Sequence, residues 1–113
     1  MDMEVTELSG DLTRIRLNGR LDAPGVDRID IRFTAAAVAV GRNTVIDLSG
    51  VTFVASMGIR MLISCARSLH AKGAKLVLFG AQALVQDVLE QAAIDQIIPI
   101  VENEQQALAQ LEA

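Results

Sequence analysis

Val45-Ile46-Asp47-Leu48-Ser49-Gly50-Val51-Thr52-Phe53-Val54-Ala55-Ser56-Met57-Gly58-Ile59-Arg60-Met61-Leu62-Ile63 reads as strand, turn and helix, and the rest of the chain is arranged around it. Val45, Ile46 and Leu48 form a short apolar run closed by Ser49-Gly50, the composition of a strand covered on both faces. A second apolar push runs through Val51, Phe53 and Val54. From Ile59 the spacing lengthens. Ile59, Leu62, Ile63, Ala66 and Leu69 recur at three and four residues, with Arg60, Ser64, Arg67 and Ser68 on the opposite side. That spacing predicts an amphipathic helix. Ser56 is placed to cap its first turn by accepting a hydrogen bond from an unpaired amide. Gly73 suits a left-handed cap at the far end, where His70 and Lys72 meet the negative pole of the helix dipole.

On the N-terminal side, Val5 and Leu8 begin a first strand and Ser9-Gly10-Asp11 supplies a turn. Ile15, Leu17, Gly19 and Leu21 then alternate with Arg14, Arg16, Asn18 and Arg20. Strict alternation predicts a hairpin with one wet face, and a solvated row of arginines rather than a docking patch. Asp22-Ala23-Pro24-Gly25 breaks the pattern, with Asp22 as a turn or capping residue and Pro24 in a first helical turn. Val26, Ile29, Phe33, Ala36, Ala37 and Val40 follow helical spacing until Gly41-Arg42-Asn43.

On the C-terminal side, Lys75-Leu76-Val77-Leu78-Phe79 is a second buried strand closed by Gly80. Strand, helix and strand so closely spaced predict a right-handed parallel crossover. Leu84, Val85, Val88, Leu89 and Ala92 make the inner stripe of a third helix, and Ile97-Ile98-Pro99-Ile100-Val101 a short last strand. Pro99 lacks an amide, which puts that strand at an edge or Pro99 at its beginning. Asn103 and Gln106 resemble a capping box opening a final short helix with Ala107, Leu108 and Leu111. The expected fold is α/β: a mixed β-sheet of about five strands, first an antiparallel hairpin and then parallel βαβ units, with about four helices. No repeat, low-complexity run or linker interrupts the 113 residues, so a single domain over 1–113 is expected.

Composition excludes several functions. A net charge of -4 disfavours a phosphate backbone, and the absence of Trp and Tyr leaves little to stack bases on, so nucleic acid is not an expected partner. The acidic start Met1-Asp2-Met3-Glu4 is unlike a secretory signal, and no stretch approaches the ~20 apolar residues of a membrane span. A cytoplasmic protein without membrane insertion is expected. The single cysteine, Cys65, fits a reducing compartment and reads as a buried structural thiol. The sequence carries no signal of oligomeric state.

Asp47-Leu48-Ser49-Gly50-Val51, a few apolar residues, then a Ser and a Gly opening an apolar helix resemble the signature of the STAS domain. That module occurs in bacterial anti-sigma factor antagonists and in the tails of sulfate transporters. The likeness runs over nearly the whole chain, including Gly19-Arg20-Leu21-Asp22, Leu84-Val85-Gln86-Asp87-Val88-Leu89 and Ile98-Pro99-Ile100. It implies a STAS-like fold. It also implies that Ser56 matches the serine phosphorylated by the partner kinase, itself the anti-sigma factor, and that the Asp22 loop lies near the partner surface. The contact residues so implied are Asp22, Ala55, Ser56, Met57, Gly58 and Arg60. The kinase would bring the ATP and a phosphatase would be a further partner, while the chain itself would hold no cofactor or metal and catalyse nothing. Ala55 and Met57 stand where the commonest motif has Asp and a small residue, which removes an acidic group able to contact the kinase or its nucleotide.

Two other readings of Ser56 stand beside this one. Val54-Ala55-Ser56-Met57-Gly58 is one glycine short of the nucleophile elbow G-x-S-x-G. However, the sole histidine, His70, lies fourteen residues along the same predicted helix, ~21 Å away at 1.5 Å per residue, and cannot take the proton of the serine. Nor does Asp22 or Asp47 have a carboxylate partner at catalytic spacing. The other reading makes the chain a constitutive STAS subunit that docks on a transporter ATPase or larger signalling complex, with Ser56 only a helix cap.

Overall fold

The computed structural model describes residues 1–9 and 11–112. Five strands form one sheet in sequence order: β1 (Asp2–Ser9), β2 (Leu12–Leu21), β3 (Asn43–Val54), β4 (Leu76–Phe79) and β5 (Ile100–Val101). β1 runs antiparallel to β2, and β2 to β5 are parallel neighbours. The connecting helices are α1 (Ala23–Phe33), α2 (Ser56–Ala71) and α3 (Ala83–Gln91), followed by α4 (Glu104–Glu112). This is the expected mixed α/β sheet of the STAS fold, hairpin first and crossovers after. Gly10, the centre of the expected hairpin turn, lies outside the described residues.

The main core lies between one sheet face and α1, α2 and α3. Ile15, Leu17, Ile46, Leu48 and Leu78 meet Phe33, Leu62, Leu69 and Leu89 there, all essentially without solvent contact. A smaller cluster on the opposite face packs Val45, Val77 and Phe79 under Ala107 of α4, with Leu12, Leu108 and Leu111 at its margin. The outer face of β2 is therefore partly covered, and its arginines are paired. Arg14 reaches Glu104 at 2.6 Å, Arg16 reaches Asp47 at 3.8 Å and Arg20 reaches Asp22 at 3.1 Å.

Ser49-Gly50 does not close the strand. β3 runs on to Val54, 12 residues in all, because it is bulged against β2: Asp47 to Val54 pairs with Arg16 to Leu21, seven steps against five. Each extra residue bends the strand without ending it. Ile46, Leu48, Val51 and Val54 all stay buried, at spacings of two, three and three. At Gly50 a Cβ would run into Asn18 Oδ1, so any larger residue at the bulge requires the Asn18 side chain to turn away.

Other boundaries shift for local reasons. α1 runs on into a π-helical turn over Thr34–Ala39, whose Val38 carbonyl accepts from Lys72 Nζ. In α3, Val85 and Leu89 are buried, but Leu84 is exposed and Ala92 lies beyond the helix, which narrows the predicted stripe. The last strand keeps only Ile100–Val101, since a 3-10 turn occupies Ile94–Gln96 and Pro99 precedes the pairing. The cap on α4 forms with an altered partner: Asn103 Oδ1 accepts from Gln106 N, while Gln106 Oε1 accepts from Glu102 N, each at 2.9 Å.

Candidate functional site

The parallel strands β2 and β3 end side by side, and each hands over almost at once to a helix. Leu21 pairs with Val54, and the amide of Ala55 donates to the Leu21 carbonyl at 3.0 Å. This bond ties the start of α2 to the turn that carries Asp22, so Asp22, Ala55 and Ser56 are brought together at the carboxyl edge of the sheet. Open α/β sheets place their working loops at that edge.

Ser56 is not the cap of α2. Ala55 occupies that position with φ -121° and ψ 179°, and no side chain caps the helix. Ser56 is the first helical residue; it is exposed, and among the described residues its hydroxyl has no hydrogen-bond partner. The reason lies in the Leu21 contact, which holds Ala55 as the last extended residue, so that the helix starts at Ser56 itself, one residue earlier than a Ser56 cap would place it. Gly73 behaves as expected at the other end, with φ +77° and the amide of Ala74 donating to the Leu69 carbonyl at 2.8 Å.

Asp22 is the cap of α1. Its Oδ1 accepts from the Gly25 amide at 2.9 Å, and its Oδ2 takes the Arg20 side chain at 3.1 Å. The Gly25 amide, aided by Arg20, holds the carboxyl below its ordinary range against the opposing effect of burial. Arg20 also lies over the Phe53 ring, 4.3 Å from its centroid. Phe53 is 40% exposed, although its apolar surroundings in the sequence suggest an interior position. The β3 bulges turn it outward opposite Arg20, a cross-strand relationship that only the register reveals.

The remaining expected contact residues divide. Met57 and Arg60 are exposed and Ala55 is half-buried, whereas Gly58 is buried against Leu21. Met57, Arg60 and Met61 line a groove of about 350 Å³ between α2 and α1, with Asp27, Asp30 and Phe33 on the α1 side. Those two aspartates escaped the sequence reading because charged residues on a helix exterior carry no signal of what faces them. Ser56 and His70 lie at opposite ends of the 16-residue α2. Among the described residues no three His, Cys, Asp or Glu side chains group as a metal site. An uncommitted surface hydroxyl of this kind is suited to receive a group from outside rather than to attack as an activated nucleophile.

Fold and site together define an α/β domain that presents a serine at the start of a helix beside a capped acidic turn. The chain belongs to the STAS domain family, whose model matches residues 2–107. An anti-sigma-factor antagonist (STAS) domain protein of Planctomyces limnophilus is 27% identical with a TM-score of 0.83, over 96% of each chain. A Thermotoga maritima protein described as an anti-sigma factor antagonist is 15% identical with a TM-score of 0.88, covering 98% of this chain and 95% of the other. The anti-sigma factor antagonist SpoIIAA in its unphosphorylated form is 18% identical with a TM-score of 0.72, over 99% of each chain. The phosphorylated form of the Bacillus protein gives the same values over 96% and 98%. No described helix is long and apolar enough to cross a membrane.

Proposed function

We propose that this chain is an anti-sigma factor antagonist in a partner-switching pathway, binding an ATP-dependent serine kinase of the anti-sigma type and released from it when Ser56 is phosphorylated. The observation that carries the reading is the uncommitted, exposed Ser56 hydroxyl at the first turn of α2, beside the Asp22 turn. The Planctomyces relative is named as an antagonist, and SpoIIAA has been solved both with and without its phosphate. The partner-binding face comprises Asp22, Ala55, Ser56, Met57 and Arg60, with Gly58 setting its position from beneath.

A phosphate at Ser56 adds about -1.5 to -2 charges. Because the hydroxyl holds nothing within the chain, modification breaks no internal contact. The effect falls on the partner, whose surface fits a neutral hydroxyl and meets a desolvated anion. The switch thus acts on association and leaves the fold as it is. The kinase supplies the ATP, a phosphatase resets the site, and the chain works in the cytoplasm without catalysing a reaction.

Affinity capture from the native lysate with Ser56→Ala and Ser56→Asp baits tests this. The Ala bait retains a protein that phosphorylates the wild-type chain from ATP, and the Asp bait retains at least about tenfold less, since an unpaired interfacial charge costs several kcal/mol. Equal capture by both baits would point to constitutive docking on a larger assembly.

A further inference from the structure

Arg60 stands one helical turn beyond Ser56 on the exposed side of α2. Residues four apart on a helix are surface neighbours. Helical side chains also lean toward the N-terminus, over the preceding turn. Arg60 lines the groove toward α1, and this spacing puts a group carried on Ser56 within the span of its long side chain. Its charge is uncommitted: among the described residues it makes no hydrogen bond or ion pair, whereas Arg14, Arg16, Arg20 and Arg42 each hold a carboxylate. Asp27 and Asp30 line the same groove, yet neither pairs with it.

We propose that Arg60 is the intramolecular counter-ion of a phosphoryl group on Ser56. This rests on the reading of Ser56 as the modified residue and adds a second arm to the switch. A guanidinium presents parallel donors that match phosphoryl oxygens, and four-residue spacing brings them within reach. In the unmodified protein Arg60 is a free cation on the proposed binding face, able to meet a carboxylate of the kinase. Once Ser56 is phosphorylated, Arg60 turns to the phosphate. The modification then withdraws a cation from the partner as well as presenting an anion to it.

The test needs no kinase: phosphoserine is placed at position 56 during translation, and the second ionisation of the phosphate is followed by phosphorus NMR. Asp27 and Asp30 across the groove oppose that ionisation, and Arg20 is already held by Asp22. With Arg60 present the phosphate should titrate about 0.5–1 unit lower than in Arg60→Gln, with Arg60→Lys between them and the gap shrinking in high salt. Circular dichroism verifies that each variant is folded. Equal titration of the Arg and Gln proteins would overturn the inference and leave the proposed phosphorylation standing. Absence of phosphate from the protein in its own cells would count against that function without altering this comparison.

Discussion

Gly58 lies so close to Leu21 that a methyl group at residue 58 would sit 2.5 Å from the Leu21 carbonyl oxygen and 2.6 Å from its Cγ. The same carbonyl accepts the Ala55 amide at 3.0 Å, so it cannot move aside without releasing the turn before Ser56. Gly58→Ala should therefore lose about 1–3 kcal/mol, the usual cost of overpacking. Urea denaturation measures it, and partner binding should weaken as Ser56 is displaced.

Ser56→Ala should be nearly silent in stability. The hydroxyl has no partner in the chain, so the change should stay within about 0.5 kcal/mol, as for an uninvolved surface position. A loss near ~1 kcal/mol, the cost of deleting a helix cap, would mean that the serine caps α2 after all. Denaturation curves of the two proteins decide between these outcomes.

Asp22 gives the acid side of the pH profile a definite sign. Its folded carboxyl ionises below the usual value because the Gly25 amide and Arg20 favour the charged form. Its contribution is complete above the unfolded value of about 3.9 and is lost as pH falls through the folded one. Asp22→Asn keeps an acceptor for the Gly25 amide but loses the charge facing Arg20, so its stability should fall less steeply over that acid window. Thermal unfolding at stepped pH provides the comparison.

Cys65 sets the alkaline side. Burial pushes its thiol up to about 12, whereas an unfolded cysteine ionises near ~8.5. Stability is thus unaffected by this group below about pH 8.5 and declines above it, as the unfolded chain sheds the proton first. Cys65→Ala should lack that decline. In the native protein a thiol-directed reagent should fail to label Cys65 at pH 8, and denaturant should expose it.

How much was legible follows from what each signal measures. The period of three to four from Ile59 to Leu69 reports a single buried helix face, and α2 lies along it. The run Leu76–Phe79 reports a strand covered on both sides, with the main core on one face and α4 on the other. Alternation reports strands only while pairing is regular. Two extra residues in β3 broke the period, so the strand seemed to close at Ser49-Gly50 and the outward turn of Phe53 left no mark in the sequence. Ser56 was legible by position, but its local role was not. A serine before a helix has the chemistry of a cap, and only the Leu21 bond at Ala55 shows that the helix begins one residue early, with Ser56 already inside it. Arg20 over Phe53 and Asp27 and Asp30 beside Arg60 depend on register and helix packing, which no single stretch encodes.

The most direct test of the central claim is the intact mass of the protein purified from its native cells across growth and stress conditions, with fragmentation to locate any modification. The account predicts a fraction heavier by one phosphoryl group, carried on Ser56 and changing with condition. A chain that is unmodified throughout, or phosphorylated only elsewhere, would contradict it.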